Sequence, residues 1–190
     1  MLRSLPSGLV MSVFTNPASS APEHAAAYVS AVLDLLGDRN PFDVLRTTPD
    51  IVRLHVRHAA SGDIMKREAP GKWSAGEVIQ HLADSELVGG YRFRMVLAHD
   101  RPQLTGYDQD LWADRLRYPE SDPEETLALF TALRRANVRL LERASTADLQ
   151  RVSVHAERGE ETLGHMVKLY AGHDLVHLRQ LERILASVAQ

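Results

Sequence analysis

The sequence predicts an all-α protein folded as a four-helix bundle. Two helix-start signals, Ser74-x-x-Glu77 and Asp122-Pro123, each precede a long run with apolar residues at helical spacing. The last segment keeps one such stripe to the end of the chain. Strand-like alternation is confined to a short stretch after Arg151.

The chain has 190 residues, 44% of them apolar and 25% charged, with a net charge of -3. That length suits one domain with a core of its own. The expected division is a flexible leader over 1–21, rich in Ser, Pro and Ala, followed by a single helical-bundle domain over 22–190. Met11 is an alternative start. Basic and acidic residues are interspersed, so no cationic face for nucleic acid is expected. No run is long enough for a membrane span. The cysteine count is zero, which excludes a disulfide framework, a thiolate metal site and a cysteine nucleophile. A cytoplasmic location is the expectation.

The elements follow in order. Pro22 to Leu36 reads as a helix stopped by Gly37. A second covers about Phe42–Ala59, with a break or kink at Thr48-Pro49. Ala69-Pro70-Gly71 is a loop. Ser74 caps a long helix whose stripe is Val78, His81/Leu82, Ser85, Val88, Arg92 and Met95; within it, Gly89-Gly90 implies close approach of another backbone, or a kink. Residues 100–121 form a long crossover with a helical patch at Asp108–Arg115. Asp122 caps a helix to about Ala144. A small hairpin turning at Gly159 is expected before Thr162, and a final helix from about Leu163 to Ala186.

The final helix carries the chemistry. Met166, Tyr170, His173, His177, Leu181 and Ile184 fall on one core-facing stripe. His173 and His177 are four residues apart, so both imidazoles point the same way and can reach one ion. His81, on the buried stripe of the capped helix, is the best third ligand, with Asp84 and Ser85 one turn further along. Three imidazoles and a vacant position are the pattern of a catalytic metal site, and neutral imidazole suits zinc, nickel, copper or ferrous iron. The alternative is a set of core histidines hydrogen-bonded to their neighbours. Among the others, His165 could line the same cavity. His55 and His58 read as a solvated face, His155 lies in the hairpin, and His24 and His99 are peripheral.

The segments WSAGEVIQHLADSELVGGYRFRMVL, PQLTGYDQDLWADRL and YAGHDLVHLRQLERI resemble the DinB/YfiT-like superfamily of metalloenzymes. The shared pattern is one histidine in the second bundle helix and His-x3-His in the last. The resemblance covers roughly Asn40 to Ala186. It is nearest to the YfiT branch, with His81–Ser85, Arg92-Phe93 and the Tyr107-Asp108…Trp112 segment as the matching residues. It implies a four-helix bundle of DinB/YfiT type, with His81, His173 and His177 as ligands of a divalent transition metal, zinc or nickel first. It also implies a homodimer, and transfer of a low-molecular-weight thiol such as bacillithiol.

These readings combine into an expected function. A metal ion can deprotonate a coordinating thiol, and the thiolate would attack an electrophile in the adjoining cavity. Asp84 is the candidate catalytic residue, orienting an imidazole or binding an amine of the thiol; a polar residue at the bundle mouth is the plainer reading. Ser85, Arg92, Tyr107, Asp108 and Trp112 are the candidate substrate contacts. Arg92 could grip a carboxylate or sit in a salt bridge, and Trp112 could belong to a lid or plug the bundle end. The rival functions are hydrolysis by a metal-bound water, with Asp84 or His165 as base, and a non-catalytic, metal-stabilised stress-response module.

Overall fold

A computed structural model describes residues 22–60 and 62–189; the expected leader over 1–21 and the His24 side chain lie outside the described portion. The elements are α1 (Pro22–Leu36), α2 (Pro41–His58), α3 (Ala75–Ala98), β1 (Gln103–Leu104), α4 (Gln109–Arg115), α5 (Pro123–Leu141), α6 (Thr146–Leu149), β2 (Val152–His155), β3 (Gly159–Thr162) and α7 (Leu163–Val188). Short 3-10 turns lie at Asp63–Met65 and Tyr118–Glu120. Four long helices close a ring: α2 packs on α5 and α7, and α3 packs on the same two. This is the expected four-helix bundle. α1 lies outside it against α7. The approach is close, because a Cβ on Gly172 would strike the Val32 carbonyl.

Local chemistry sets the helix starts. Ser74 accepts from the Glu77 N–H at 3.2 Å, and the Glu77 carboxylate accepts from the Ser74 N–H at 2.8 Å, so the capping box of α3 is complete. Asp122 accepts from the Glu124 and Glu125 amides at the start of α5, and Thr162 accepts from the His165 amide at the start of α7. The expected hairpin is β2–β3, turning through Gly159 at φ 75°. Two elements went unread in the sequence. β1 adds a parallel strand to β2, with Gln103 opposite Val154, and α6 is a single capped turn.

The core has two apolar ends and a polar middle. One end gathers Leu45, Phe93, Val96, Leu141, Leu163 and Met166; the other gathers Val52, Ile79, Leu82, Phe130, Leu181 and Ile184. Each such side chain contributes roughly 1.5–3 kcal/mol on full burial. Between them lies Arg134. Its Nη1 and Nη2 donate to Asp174 at 2.5 and 2.9 Å, and its Nε donates to Glu86 at 2.8 Å. Asn137 donates to Glu86 at 2.8 Å and accepts from Arg94 at 2.8 Å.

Two backbone expectations change. α2 runs unbroken through Pro49. A proline cannot donate to the carbonyl four residues back. Here that carbonyl, of Leu45, instead accepts from Arg134 Nη1 at 2.9 Å, so the helix loses no partner. The Gly89-Gly90 pair makes room for side chains and not for a backbone. A Cβ on Gly89 would lie 2.5 Å from the Tyr170 ring, and one on Gly90 would lie 2.5 Å from the Asn137 amide.

Candidate metal centre

The α3 cap fixes where His81 points. Glu77, locked in the capping box, is also gripped by Arg67, whose Nε and Nη2 donate at 3.0 and 2.5 Å. His81 follows one turn later and is 1% exposed. On the opposing helix, His173 and His177 occupy successive turns of α7. The three rings converge: His173 Nε2 lies 3.1 Å from His81 Nε2 and 3.1 Å from His177 Nε2. Ring centroids are 4.3 to 5.2 Å apart. Trp73 stands over His81 from the loop side, its ring centre 5.2 Å away.

These distances test the fit of an ion. Nitrogens held about 2.05 Å from a tetrahedral centre are ~3.3 Å apart. The Nε2 spacings are close to that value. Three imidazoles sharing two Nε2 contacts cannot all be satisfied by one another, and His81 Nδ1 is buried without a hydrogen-bond partner. The rings are also held in the form that coordinates. Burial pushes His81 well below the usual histidine range, aided by the neighbouring His177. Burial does the same to His173, followed by His177, His81 and Arg134. His177 is lowered to about 4 by burial, against the opposing effect of Gln180. All three are therefore neutral at pH 7, each ring with one lone-pair nitrogen. Among the described residues, this is the one cluster of histidine and acidic side chains able to hold an ion.

Of the three, His177 borders a cleft of about 730 Å³. His177 and Gln180 of α7, Gln109 and Asp110 of α4, and Lys72 and Trp73 of the loop before α3 share its wall. Several cleft cations are already paired: Arg67 with Glu77, and Arg183 with Glu68. Lys72 and Arg179 have no carboxylate partner among the described residues. Asp110 is raised by burial and by Asp108.

The other expected site residues fall in separate places. Among the described residues, Asp84 makes no hydrogen bond to an imidazole; its carboxylate accepts from the buried Tyr118 hydroxyl at 2.7 Å. Burial and this acidic partner push the Tyr118 phenol far up. Ser85 is buried on α3 next to the Tyr107 hydroxyl. Arg92 donates to the Thr105 carbonyl at 2.5 Å and to the Tyr170 hydroxyl at 3.4 Å, so it ties the crossover to α7. Tyr107 and Trp112 pack on each other at 4.5 Å. Asp108 is the N-cap of α4, accepting from the Asp110 and Leu111 amides. His165 does not share the cleft; it lines a separate pocket with Leu33 and Lys168. His155 is buried and lowered to about 3 by burial, Arg158 and Arg92.

Sequence reasoning missed Gln180, which meets His177 Nδ1 at 2.8 Å. An acceptor one turn after a ligand histidine was the available signal. It also missed Tyr118 and the cleft residues Lys72, Asp110 and Arg179, whose grouping depends on three non-adjacent segments.

Comparison with known proteins follows the same outline. The model of the DinB superfamily matches residues 24–181. A candidate metal-dependent hydrolase of Oceanobacillus iheyensis is 32% identical over 111 residues, 58% of this chain and 64% of its own length. Another, of Bacillus licheniformis, is 26% identical over 139 residues, 73% of this chain and 79% of its own. The first of these alignments thus spans less than two thirds of the relative's length. Among solved structures, YfiT of Bacillus subtilis aligns with a TM-score of 0.68 at 25% identity, over 75% of this chain and 84% of that one. It is described as a candidate metal-dependent hydrolase with an unusual four-helix bundle topology.

Proposed function

Because the chain belongs to the DinB superfamily, whose relatives are described as metal-dependent, we propose that His81, His173 and His177 hold a divalent transition metal, zinc or nickel. We propose further that the protein uses this ion to transfer a low-molecular-weight thiol to an electrophile. When bound, the ion supplies a Lewis-acidic position that lowers the pKa of a thiol or water entering from the cleft. The observation that carries the reading is the convergence of three Nε2 atoms, one of them on His177, which lines a cleft wide enough for a small molecule.

The chain's own residues would do the rest. Trp73, Val176 and Ala113 give part of the cleft wall an apolar face. Lys72 and Arg179, without carboxylate partners among the described residues, suit acidic groups on the thiol or the electrophile. The protein has no cysteine, so the reacting sulfur must arrive with the substrate. Arg92 and the Tyr107–Trp112 pair hold the crossover in place over α3 and α7.

The second reading is hydrolysis of an ester or amide. It is favoured by the descriptions of the relatives and by Asp110, an acid on the cleft wall whose raised pKa suits a general base. Asp84 and His165 serve it poorly, since one is engaged by Tyr118 and the other lies in a separate pocket. The test is to incubate zinc- or nickel-loaded protein with a generic electrophile and several thiols. Thiol-dependent conjugate supports transfer, whereas product formed without thiol supports hydrolysis. If neither forms and His81→Ala alters only stability, a non-catalytic metal-stabilised module is the better account.

A further inference from the structure

Among the described residues, one hydrogen bond reaches the far ring nitrogen of a site histidine. Gln180 Oε1 lies 2.8 Å from His177 Nδ1. His81 Nδ1 is buried with no partner. Gln180 follows His177 by three residues on α7, so the two side chains share one helix face and their spacing is fixed by the backbone.

The chemistry of the pair is directional. An amide oxygen can only accept, so Nδ1 must carry the proton. In a neutral imidazole the proton then leaves Nε2 with its lone pair. That is the nitrogen 3.1 Å from His173 Nε2. An amide turned the other way would offer its NH2 to Nδ1, drive the proton to Nε2 and close the lone pair. We propose that Gln180 is the positioning residue of the metal centre: its amide oxygen holds His177 as the Nδ1–H tautomer and keeps the Nε2 lone pair aimed at the ion. Gln180 also lines the cleft, so one side chain borders both the incoming molecule and a ligand. The inference rests on the three-histidine reading above but not on the reaction assigned to it.

The test uses the full chain with Gln180→Glu and Gln180→Leu. Two-bond 1H–15N correlation spectra of histidine-labelled, metal-free protein read the tautomer of His177. Competition with a chromogenic chelator reads zinc affinity. The wild type and Gln180→Glu, whose carboxylate is also an acceptor, should show the Nδ1–H form. Gln180→Leu should show Nε2–H or an exchanging mixture and bind zinc about 10–100-fold more weakly, with an unchanged helical circular dichroism spectrum. An unaltered tautomer or unaltered zinc affinity in folded Gln180→Leu would overturn the proposal. Should that variant fail to fold, Gln180→Glu decides: retained tautomer and affinity support the assignment, and loss of either contradicts it. A wild type that takes no zinc defeats the metal reading; the tautomer spectrum still judges Gln180, since an Nε2–H form there refutes it.

Discussion

His173 and Asp174 are neighbours on α7, yet they belong to two buried polar clusters of opposite character. Asp174 joins Arg134, Glu86 and Asn137, where each nitrogen of the Arg134 guanidinium donates to an oxygen and both oxygens of Asp174 are used. His173 joins His81 and His177, where the Nε2 atoms face one another and His81 Nδ1 is left without a partner. Both clusters draw on α3 and α7, with Arg134 and Asn137 of the first supplied by α5. A buried polar group costs free energy unless it is paired. The Arg134 cluster therefore reads as architecture, and the histidine cluster as one whose polar atoms are not all paired within the protein.

The largest expected effect breaks the Arg134 cluster. Arg134→Leu strands the Glu86 and Asp174 carboxylates and the Leu45 carbonyl freed by Pro49. The loss should be about 3–5 kcal/mol in urea unfolding. His81→Ala should cost the metal-free protein less, because it removes a contact between neutral rings and strands no buried charge. Equal losses would erase the distinction.

Gly90→Ala sharpens the same comparison. Its methyl would press on the Asn137 amide and push it from Glu86 and Arg94. The expected cost is roughly 1–3 kcal/mol by thermal or chemical unfolding, with zinc affinity unchanged.

The two clusters should also answer acid with opposite signs. His177 titrates at about 4 in the folded chain, and near 6.5 when unfolded. Between those values the unfolded state binds more protons, so this stability is complete above pH 6.5 and is lost as pH falls toward 4. Glu86 is raised by burial. The folded state takes up its proton first, so its contribution grows as pH falls through the raised value. Urea melts of metal-free protein should therefore show a histidine limb between pH 6.5 and 4. That limb should shrink in a His81/His173/His177 triple-alanine variant and persist in Glu86→Gln.

The smallest effect is expected at Asp84→Asn. The amide oxygen still accepts from Tyr118, so stability should fall by about 1 kcal/mol or less, and zinc affinity should hold. A large loss of zinc in this variant would return Asp84 to the metal centre.

What the sequence revealed depended on distance along the chain. Ser74 with Glu77, Asp122 with Pro123 and His173 with His177 interact within one turn, and each was readable. His81 was placed by its stripe on α3 and the resemblance of its surrounding motif. The missed features are non-local. Tyr118 reaches Asp84 across 34 positions, and Arg134 reaches Leu45 across 89. That last contact is why Pro49 sits inside an unbroken helix where local rules place a break. β1 is two residues long and pairs in parallel across the crossover, too short to leave a pattern of its own. Gln180 was local but overlooked, because an amide three residues after a histidine is ordinary until the ring's other nitrogen is known to face two more.

The most direct test of the metal centre is elemental analysis combined with zinc titration of the purified protein and its His81→Ala, His173→Ala and His177→Ala variants. One tightly held equivalent in the wild type, lost or strongly weakened in all three variants at unchanged helical content, is the predicted result. A wild type that binds no transition metal, or variants that retain it undiminished, would contradict the account.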